Sequence, residues 1–101
     1  MATTTKALFR GAATTSTGTT LYTVPASTTT VVSNIVVTNT SGSSRTFTLG
    51  LAGTSFATTT TIAANSIATF DIKQVLTATQ VITGGASATD VNFHISGVEI
   101  S

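Results

Sequence analysis

The chain has no cysteine and no tryptophan, and it has a single proline and a single tyrosine. Without cysteine it can form neither disulfide bonds nor thiolate metal ligands. Charged residues make up only 7% of the sequence and the formal net charge is +1, so neither a nucleic acid nor an anionic membrane is a natural partner. The apolar runs are only a few residues long, far below the roughly 20 residues of a membrane-spanning helix. We therefore expect binding through shape and neutral groups.

The length of 101 residues predicts one domain with a single core. The N-terminal sequence MATTTKALFRGAATTS has no continuous apolar segment of the kind found in secretory signals, so we expect a protein that is made in the cytoplasm and not secreted. Threonine supplies about a quarter of the chain, and β-branched side chains favour strands over helices. No window shows a helical apolar period. The composition therefore predicts an all-β fold.

Alternation of apolar and polar residues predicts seven or eight short strands. They cover residues 6–12, 21–24, 30–39, 46–51, 67–72, 80–83 and 91–100. The apolar phase changes at Ser33–Asn34 and again at Ser96–Gly97, which predicts a β-bulge at each place. The pair Gly84–Gly85 predicts a turn. The sequence leaves open whether residues 54–66 form a strand or an exposed loop, although GTSFATTTT resembles a loop.

Short strands with turn signals about every ten to fifteen residues are typical of an antiparallel β-sandwich, either jelly-roll or immunoglobulin-like. We predict this sandwich over residues 21–101. Residues 1–20 are predicted to be an N-terminal arm, or a first strand plus loop, that becomes ordered on a neighbouring subunit. The predicted core residues are Phe47, Leu49, Phe70, Phe93 and Ile95.

Few side chains could do acid–base chemistry. They are Asp71, Asp90, Glu99 and His94. Asp90 and His94 lie on one predicted strand roughly 13 Å apart, at about 3.3 Å per residue, which is too far to share a metal ion or a proton. We therefore predict no catalytic residues, no metal site and no cofactor. Because His94 stands between Phe93 and Ile95, alternation directs it away from the face of those residues, towards solvent or a partner.

Three residues are candidate contacts with a partner. They are Leu8, Arg10 and His94. The triplet Asn39-Thr40-Ser41 matches the glycosylation acceptor pattern, but we interpret the match as incidental in a chain rich in threonine and serine that carries no export signal.

The order of segments in LYTVPASTTTVVSNIVVTNTSGSSRTFTLGL resembles that of small structural proteins from tailed-phage virions. In that pattern an (L/I)YTVP segment precedes small residues, a Val/Ile strand ending in Asn, a Gly/Ser turn and a Thr/Val strand. A later strand, here IATFDI, leads to a final strand similar to VNFHISGVEI. The matching positions are Tyr22, Thr23, Val24 and Pro25 at the entry, Ile35, Val37 and Asn39 in the strand, and Gly97, Val98 and Glu99 at the end.

This resemblance implies a non-enzymatic phage protein located in the virion. Its implied role is capsid decoration (cement), by binding across the subunits of the major capsid protein or to other virion proteins. It implies a homo-oligomer, with a trimer favoured. Tail and baseplate proteins carry similar segments, so a structural or host-binding part of the tail is the alternative. A free carbohydrate-binding module is the alternative from another class, although sugar-binding surfaces usually present Trp or Tyr and the only such residue is Tyr22.

Overall fold

The computed structural model describes residues 2–101, which form nine β-strands and no helix. The strands are β1 (Thr3–Ala12), β2 (Thr20–Thr23), β3 (Thr29–Asn39), β4 (Arg45–Leu51), β5 (Thr54–Ile62), β6 (Ser66–Phe70), β7 (Gln74–Leu76), β8 (Val81–Ala86) and β9 (Val91–Ile100). All pairs are antiparallel. No helix in the described part of the chain is long and apolar enough to cross a membrane.

The pairing of the strands is nested along the chain. β4 pairs with β5, β3 with β6 and β7, β2 with β8, and β1 with β9. Two further pairs, β3 with β9 and β4 with β8, connect these paired strands into two sheets. Sheet A has the order β1-β9-β3-β6, with β7 also on β3, and sheet B has the order β2-β8-β4-β5. The predicted all-β antiparallel sandwich is confirmed, and of the two predicted topologies it is the jelly roll.

Side chains from both sheets meet in one core. Four of the five predicted core residues, Phe47, Leu49, Phe93 and Ile95, are buried. Phe70 is partly buried and lies edge-on to Phe47, with ring centroids 6.1 Å apart. Such edge-to-face pairs add about 0.5–1.5 kcal/mol beyond the area that they bury. The core is therefore centred on aromatic side chains that connect the two sheets.

The strand β3 contains the predicted bulge. Its register with β9 shifts between Val32 and Asn34, so Ser33 is the extra residue and buried positions resume at Ile35. The predicted phase change in β9 is wrong. Burial alternates without a break from Val91 to Gly97, because the bulges lie on the neighbouring strands β1 and β3 and not on β9 itself.

Strand β1 carries the other bulge of sheet A, between Ala7 and Phe9. Leu8 and Phe9 consequently both contact the core, although they are adjacent in sequence. Residues 3–12 pair with β9 inside the sandwich, and residues 13–19 connect β1 to β2. That the segment 1–20 acts as an arm on a neighbouring subunit stays a prediction.

Two segments differ from what their composition indicates. Residues 54–62 form the edge strand β5, in which Phe56 packs edge-on against Phe70 with ring centroids 5.2 Å apart. Gly84–Gly85 lies inside β8 and is not a turn. A Cβ on Gly85 would stand 2.3 Å from the backbone oxygen of Ser16, so glycine is needed there for close packing of the 13–19 segment.

Candidate functional site: the outer face of sheet A

The outer face of sheet A is the side that points away from the core. Val75, Val31 and Val98 lie in one row across β7, β3 and β9. Val36 on β3 and Ile67 on β6 point to the same side, since each is next to inward-facing residues. Ile67 and Val75 are the exposed large apolar side chains of the described residues, at 68% and 61% exposure. We call these five residues the apolar patch. It has two parts, because Ser33, Asn34 and Ser96 lie between the row of Val31 and the pair Val36 and Ile67.

The outer face of sheet B has a different chemistry. Its outward residues on β4 and β8 include Thr46, Thr48, Gly50 and Thr83, which alternate with the buried Phe47, Leu49 and Ile82. An antiparallel sheet with one wet face normally alternates apolar and polar residues in this way. Sheet B follows that rule except at Val81, which precedes the buried Ile82 and lies on its outer side, whereas sheet A carries five branched aliphatic side chains on its outer face.

Arg10 and His94 face each other across β1 and β9, on the outer face of sheet A. Val36 is the partner of His94 on the other side. His94 is half-buried between the fully buried Phe93 and Ile95, which confirms its predicted direction away from them. Leu8 is only 7% exposed and belongs to the core, so its side chain is not part of the surface. Contact of Arg10 and His94 with a partner stays a prediction.

A shallow depression of about 360 Å³ lies at the β3–β6 end of this face. It is lined by Thr38, Asn39, Thr40, Asn65, Ser66 and Ile67. Its lining carries no charge, and Ile67 also belongs to the apolar patch. Among residues 2–101 there is no group of three or more His, Asp or Glu side chains that could hold a metal ion.

A polar cluster joins the two sheets at the other end of the sandwich. The Tyr22 hydroxyl, on β2, donates a hydrogen bond to the Glu99 carboxylate on β9. The Thr30 hydroxyl lies 2.9 Å from the Tyr22 oxygen and donates to it, since the single phenolic proton goes to Glu99. The Lys6 ammonium is 3.4 Å from Glu99 Oε2. This cluster was not predicted, because a phase change in β9 would have turned Glu99 outwards.

The environment of the cluster shifts two pKa values. Burial, and then the hydrogen bond to Glu99, raise the pKa of Tyr22 above its ordinary value. The hydrogen bond from Tyr22, and then Lys6, lower the pKa of Glu99. Both shifts favour a neutral phenol beside an ionised carboxylate. A neutral Tyr22 phenol and an ionised Glu99 carboxylate keep this hydrogen bond, so the cluster has a structural role in which it connects the two sheets.

The loops at the opposite end are held by one amide and one ion pair. Asn39 is 1% exposed, and its Nδ2 donates to the backbone oxygens of Ser43, Ile62 and Ala63. Arg45 contacts Asp90 with two parallel bonds, Nε–Oδ1 at 3.0 Å and Nη2–Oδ2 at 3.1 Å. This hydrogen bonding lowers the pKa of Asp90. Because the Asn39 side chain is buried and fully used, the Asn-Thr-Ser triplet serves to connect these loops.

No protein-family model and no curated protein sequence matches the chain. Among solved structures, the chain is similar to a virus-like particle of the extra small virus of the prawn Macrobrachium rosenbergii, with 12% identity and a TM-score of 0.49 over 100% of this chain and 81% of that one. It is also similar to a chain of infectious bursal disease virus strain Gx, with 16% identity and a TM-score of 0.47 over 97% of this chain and 30% of that one. A third similar structure is a pentameric capsid protein from metagenomic phage sequences, with 17% identity and a TM-score of 0.42 over 90% of this chain and 58% of that one. The likenesses are weak in sequence and moderate in geometry, so the jelly-roll assignment rests on the strand pairing of this chain.

Proposed function

We propose that this chain is a non-enzymatic structural protein of a phage virion, most specifically a capsid decoration protein. It would bind across subunits of the major capsid protein, as a homo-oligomer for which a trimer is the favoured form. It would be made in the host cytoplasm and end in the virion. The observation that carries the proposal is the apolar patch on the outer face of sheet A, on a fold that viral capsids use repeatedly.

The segments that resemble phage virion proteins occupy defined places in the fold. The YTVP motif forms the end of β2 and the residues that follow it. The Val/Ile strand ending in Asn is β3, whose terminal Asn39 connects the β3–β4 turn at Ser43 to the end of β5 at Ile62 and Ala63. The final pattern lies in β9, where Ser96 is next to both bulges of sheet A and Gly97 pairs with Lys6 and Val32. The residues that carry the resemblance therefore have structural roles in this chain, and this supports the proposal.

The surface chemistry suits binding to an assembled shell. An apolar patch with few charges can pack against a protein surface without a large cost of removing ions from water. A protein that binds only the assembled shell stabilises it by mass action, because binding shifts the equilibrium towards the assembled state. No catalytic step is needed for this activity.

The proposal is tested by titrating the purified protein onto undecorated particles of the source phage and measuring their melting temperature. We expect saturable binding and a higher melting temperature. Ile67→Lys places a charge in the apolar patch and should weaken binding. Thr61→Lys places the same charge on the outer side of sheet B and should leave binding unchanged. Both positions are exposed, so the two variants are matched. Particles that neither bind the protein nor gain stability would contradict the decoration role.

The copy number of the chain in the virion distinguishes a capsid decoration protein from a tail or baseplate component. Quantitative mass spectrometry of purified virions should find the chain at a ratio near that of the major capsid protein. A ratio of a few per cent would instead support a tail or baseplate component, which the sequence resemblance also covers. A chain that is missing from the particle would overturn the virion role, and a glycan array would then test the carbohydrate-binding alternative.

A further inference from the structure

We infer that an extended, uncharged segment of a shell subunit pairs with the free edge of β6 and adds a strand to sheet A. This pairing is one part of the proposed shell contact and rests on the proposed function, because Ile67 belongs both to β6 and to the apolar patch. The β6 edge thereby has a single occupant, which is the same partner that the patch binds.

The backbone of β6 is hydrogen-bonded on one side only. In the described part of the chain, β6 pairs with β3 and with no other strand. The Thr40 N–H donates to the residue that precedes β9, and alternate residues of an antiparallel strand turn the same way. Val37 therefore turns to β6, where its partner is Ala68. Ile67 and Thr69 consequently direct their N–H and C=O groups to the free edge, where an added strand can bind them.

The other sheet edges carry features that oppose strand addition. Strand β1 has Lys6, Arg10 and a bulge. Strand β5 has two register shifts against β4 and a positive φ of 46° at Thr59, while β2 and β7 have only 4 and 3 residues. Strand β6 has 5 residues without a charge, a proline or a register shift. Of the described edges it is therefore the one best suited to pair with another chain.

Apolar side chains flank the β6 edge on both faces of sheet A. On the outer face, Ile67 is 68% exposed. On the inner face, Phe70 and Phe56 are only partly buried, although their rings pack edge-on with centroids 5.2 Å apart. Both rings lie at an open side of the sandwich, because β5 and β6 are end strands of their sheets. An added strand would cover Ile67 with one face and the two rings with the other, whereas a flat surface laid on the outer face would leave the rings exposed.

The surroundings of the β6 edge are neutral. The depression at its start has an uncharged lining that includes Ser66 and Ile67. Asp71 and Lys73 follow β6, are both exposed and have opposite signs, so the other end of the edge adds no net charge. Neither an acidic nor a basic segment is therefore favoured. The segment that fits is uncharged and has apolar residues on both of its faces.

A shell subunit fits this edge better than a second copy of the chain does. Pairing of β6 with β6 of another copy is two-fold, so it does not build the favoured trimer, and the other edges of a second copy oppose pairing. The contact would also be limited to 5 residues on each side, far below the roughly 20–30 that a stable interface usually has. A strand from the shell instead adds its contact to that of the apolar patch.

The test removes one N–H group from the free edge and measures binding to undecorated particles of the source phage. Thr69→Pro is the variant, since proline is tolerated in an edge strand where the N–H faces outwards. We expect its Kd for the particles to rise by about tenfold or more, because a carbonyl of the added strand loses its donor. Thr69→Ala keeps the N–H group and should lose clearly less.

Thr61→Pro is the matched control at the free edge of sheet B. The Ser87 N–H donates to the Thr46 backbone oxygen, so Thr46 turns to β8, and its partner Thr61 on β5 turns to the free edge. Thr61 is exposed, as Thr69 is, and it lies outside both the apolar patch and β6. The Kd of Thr61→Pro should stay within about threefold of the original value. Thermal melting checks that each variant is folded.

Hydrogen exchange of the original chain gives a second readout, which decides the matter if Thr69→Pro does not fold. The amides of Ile67 and Thr69 have no strand partner in the described chain. On binding to the particles they should exchange at least about tenfold more slowly, because each becomes hydrogen-bonded in an extended sheet. The amide of Thr61 at the β5 edge should exchange as before.

The outcomes distinguish the strand addition from the decoration role. Unchanged exchange in β6 on bound particles, or equal binding by Thr69→Pro and Thr69→Ala, overturns the strand addition, while binding of the original chain still supports decoration. Exchange in β6 that slows without particles, as the protein concentration rises, also overturns it, because a second copy would then be the occupant. If the original chain does not bind the particles at all, the decoration role fails and the strand addition fails with it.

Discussion

Tyr22 and Glu99 are hydrogen-bonded across the gap between the two sheets, near one end of the sandwich. Tyr22 belongs to sheet B and Glu99 to sheet A. The phenol is only 9% exposed, and Lys6 lies on the outer side of the carboxylate. The contact therefore joins the two layers through a short polar path that starts in the core and ends at the surface.

Tyr22→Phe removes this contact and should lower the free energy of unfolding. The phenylalanine leaves the fully buried Thr30 hydroxyl without its partner, and an unsatisfied buried group costs about 1–3 kcal/mol. Urea unfolding measures the loss. Adding Thr30→Val to Tyr22→Phe should recover part of it, because both polar partners are then gone; equal losses in the single and double variants would show that the Thr30 bond contributes nothing.

The pH dependence of stability follows from the same pair. The pKa of Glu99 is lower in the folded chain than in the unfolded chain, so its contribution is present above the unfolded value of about 4.3 and is lost as the pH falls through the folded pKa. The pKa of Tyr22 is raised, so the contribution of the neutral phenol is present below about pH 10 and is lost as the pH rises through the raised value.

Melting temperatures measured from acid to alkaline pH should therefore show a plateau with a fall at each end. Glu99→Gln should flatten the acid limb, while the remaining acid dependence comes from Asp90, whose pKa is also lowered. Tyr22→Phe should flatten the alkaline limb. An alkaline limb that is unchanged in Tyr22→Phe would mean that Tyr22 does not control stability there.

Asn39 should be more important for stability than its place at a strand end indicates. Asn39→Ala removes the donors to three backbone oxygens and should cost about 1–3 kcal/mol. Asn39→Asp should cost more, because a carboxylate would face the same three oxygens with no proton to donate. Asn34→Ala is the control, since Asn34 is exposed on the outer side of β3. Chemical unfolding of all three variants tests the order, and similar values for the alanine variants would contradict it.

The sequence predicts the strands of the core well, because there apolar and polar residues alternate clearly. In β3 the alternation even locates the bulge at Ser33. The sequence does not settle whether residues 54–62 form a strand, because threonine occurs on both the solvent-exposed and the buried faces of strands. The run TTTT therefore shows no alternation of apolar and polar residues. The turn predicted at Gly84–Gly85 is wrong for a similar reason, because the sequence does not distinguish a glycine needed for close packing from a glycine in a turn.

The candidate site was less predictable than the fold. Valine runs such as Val31–Val32 and Ile35–Val36–Val37 place apolar residues on both faces of β3, and the sequence does not say which face is covered. Only the pairing of β3 with β7 and β9 shows that Val31, Val75 and Val98 share an outer row. His94 was predictable because it stands between two strongly apolar neighbours. Glu99 was not, because the bulges that set its direction lie on other strands.

Gly97→Ala provides the sharpest test of this packing of bulges. A Cβ at Gly97 would stand 2.3 Å from the backbone oxygen of Val31 and 3.0 Å from Leu8 Cδ1. The first contact is with backbone in the centre of sheet A, so β3 and β9 would have to move apart. We expect a loss of about 1–3 kcal/mol or more, which for a chain of this size lowers the melting temperature by about 4–8 °C for each kcal/mol. Gly42→Ala is the matched control, because nothing lies within 4 Å of its added Cβ. If both variants melt at the temperature of the original chain, β9 does not need glycine at the position opposite Val32.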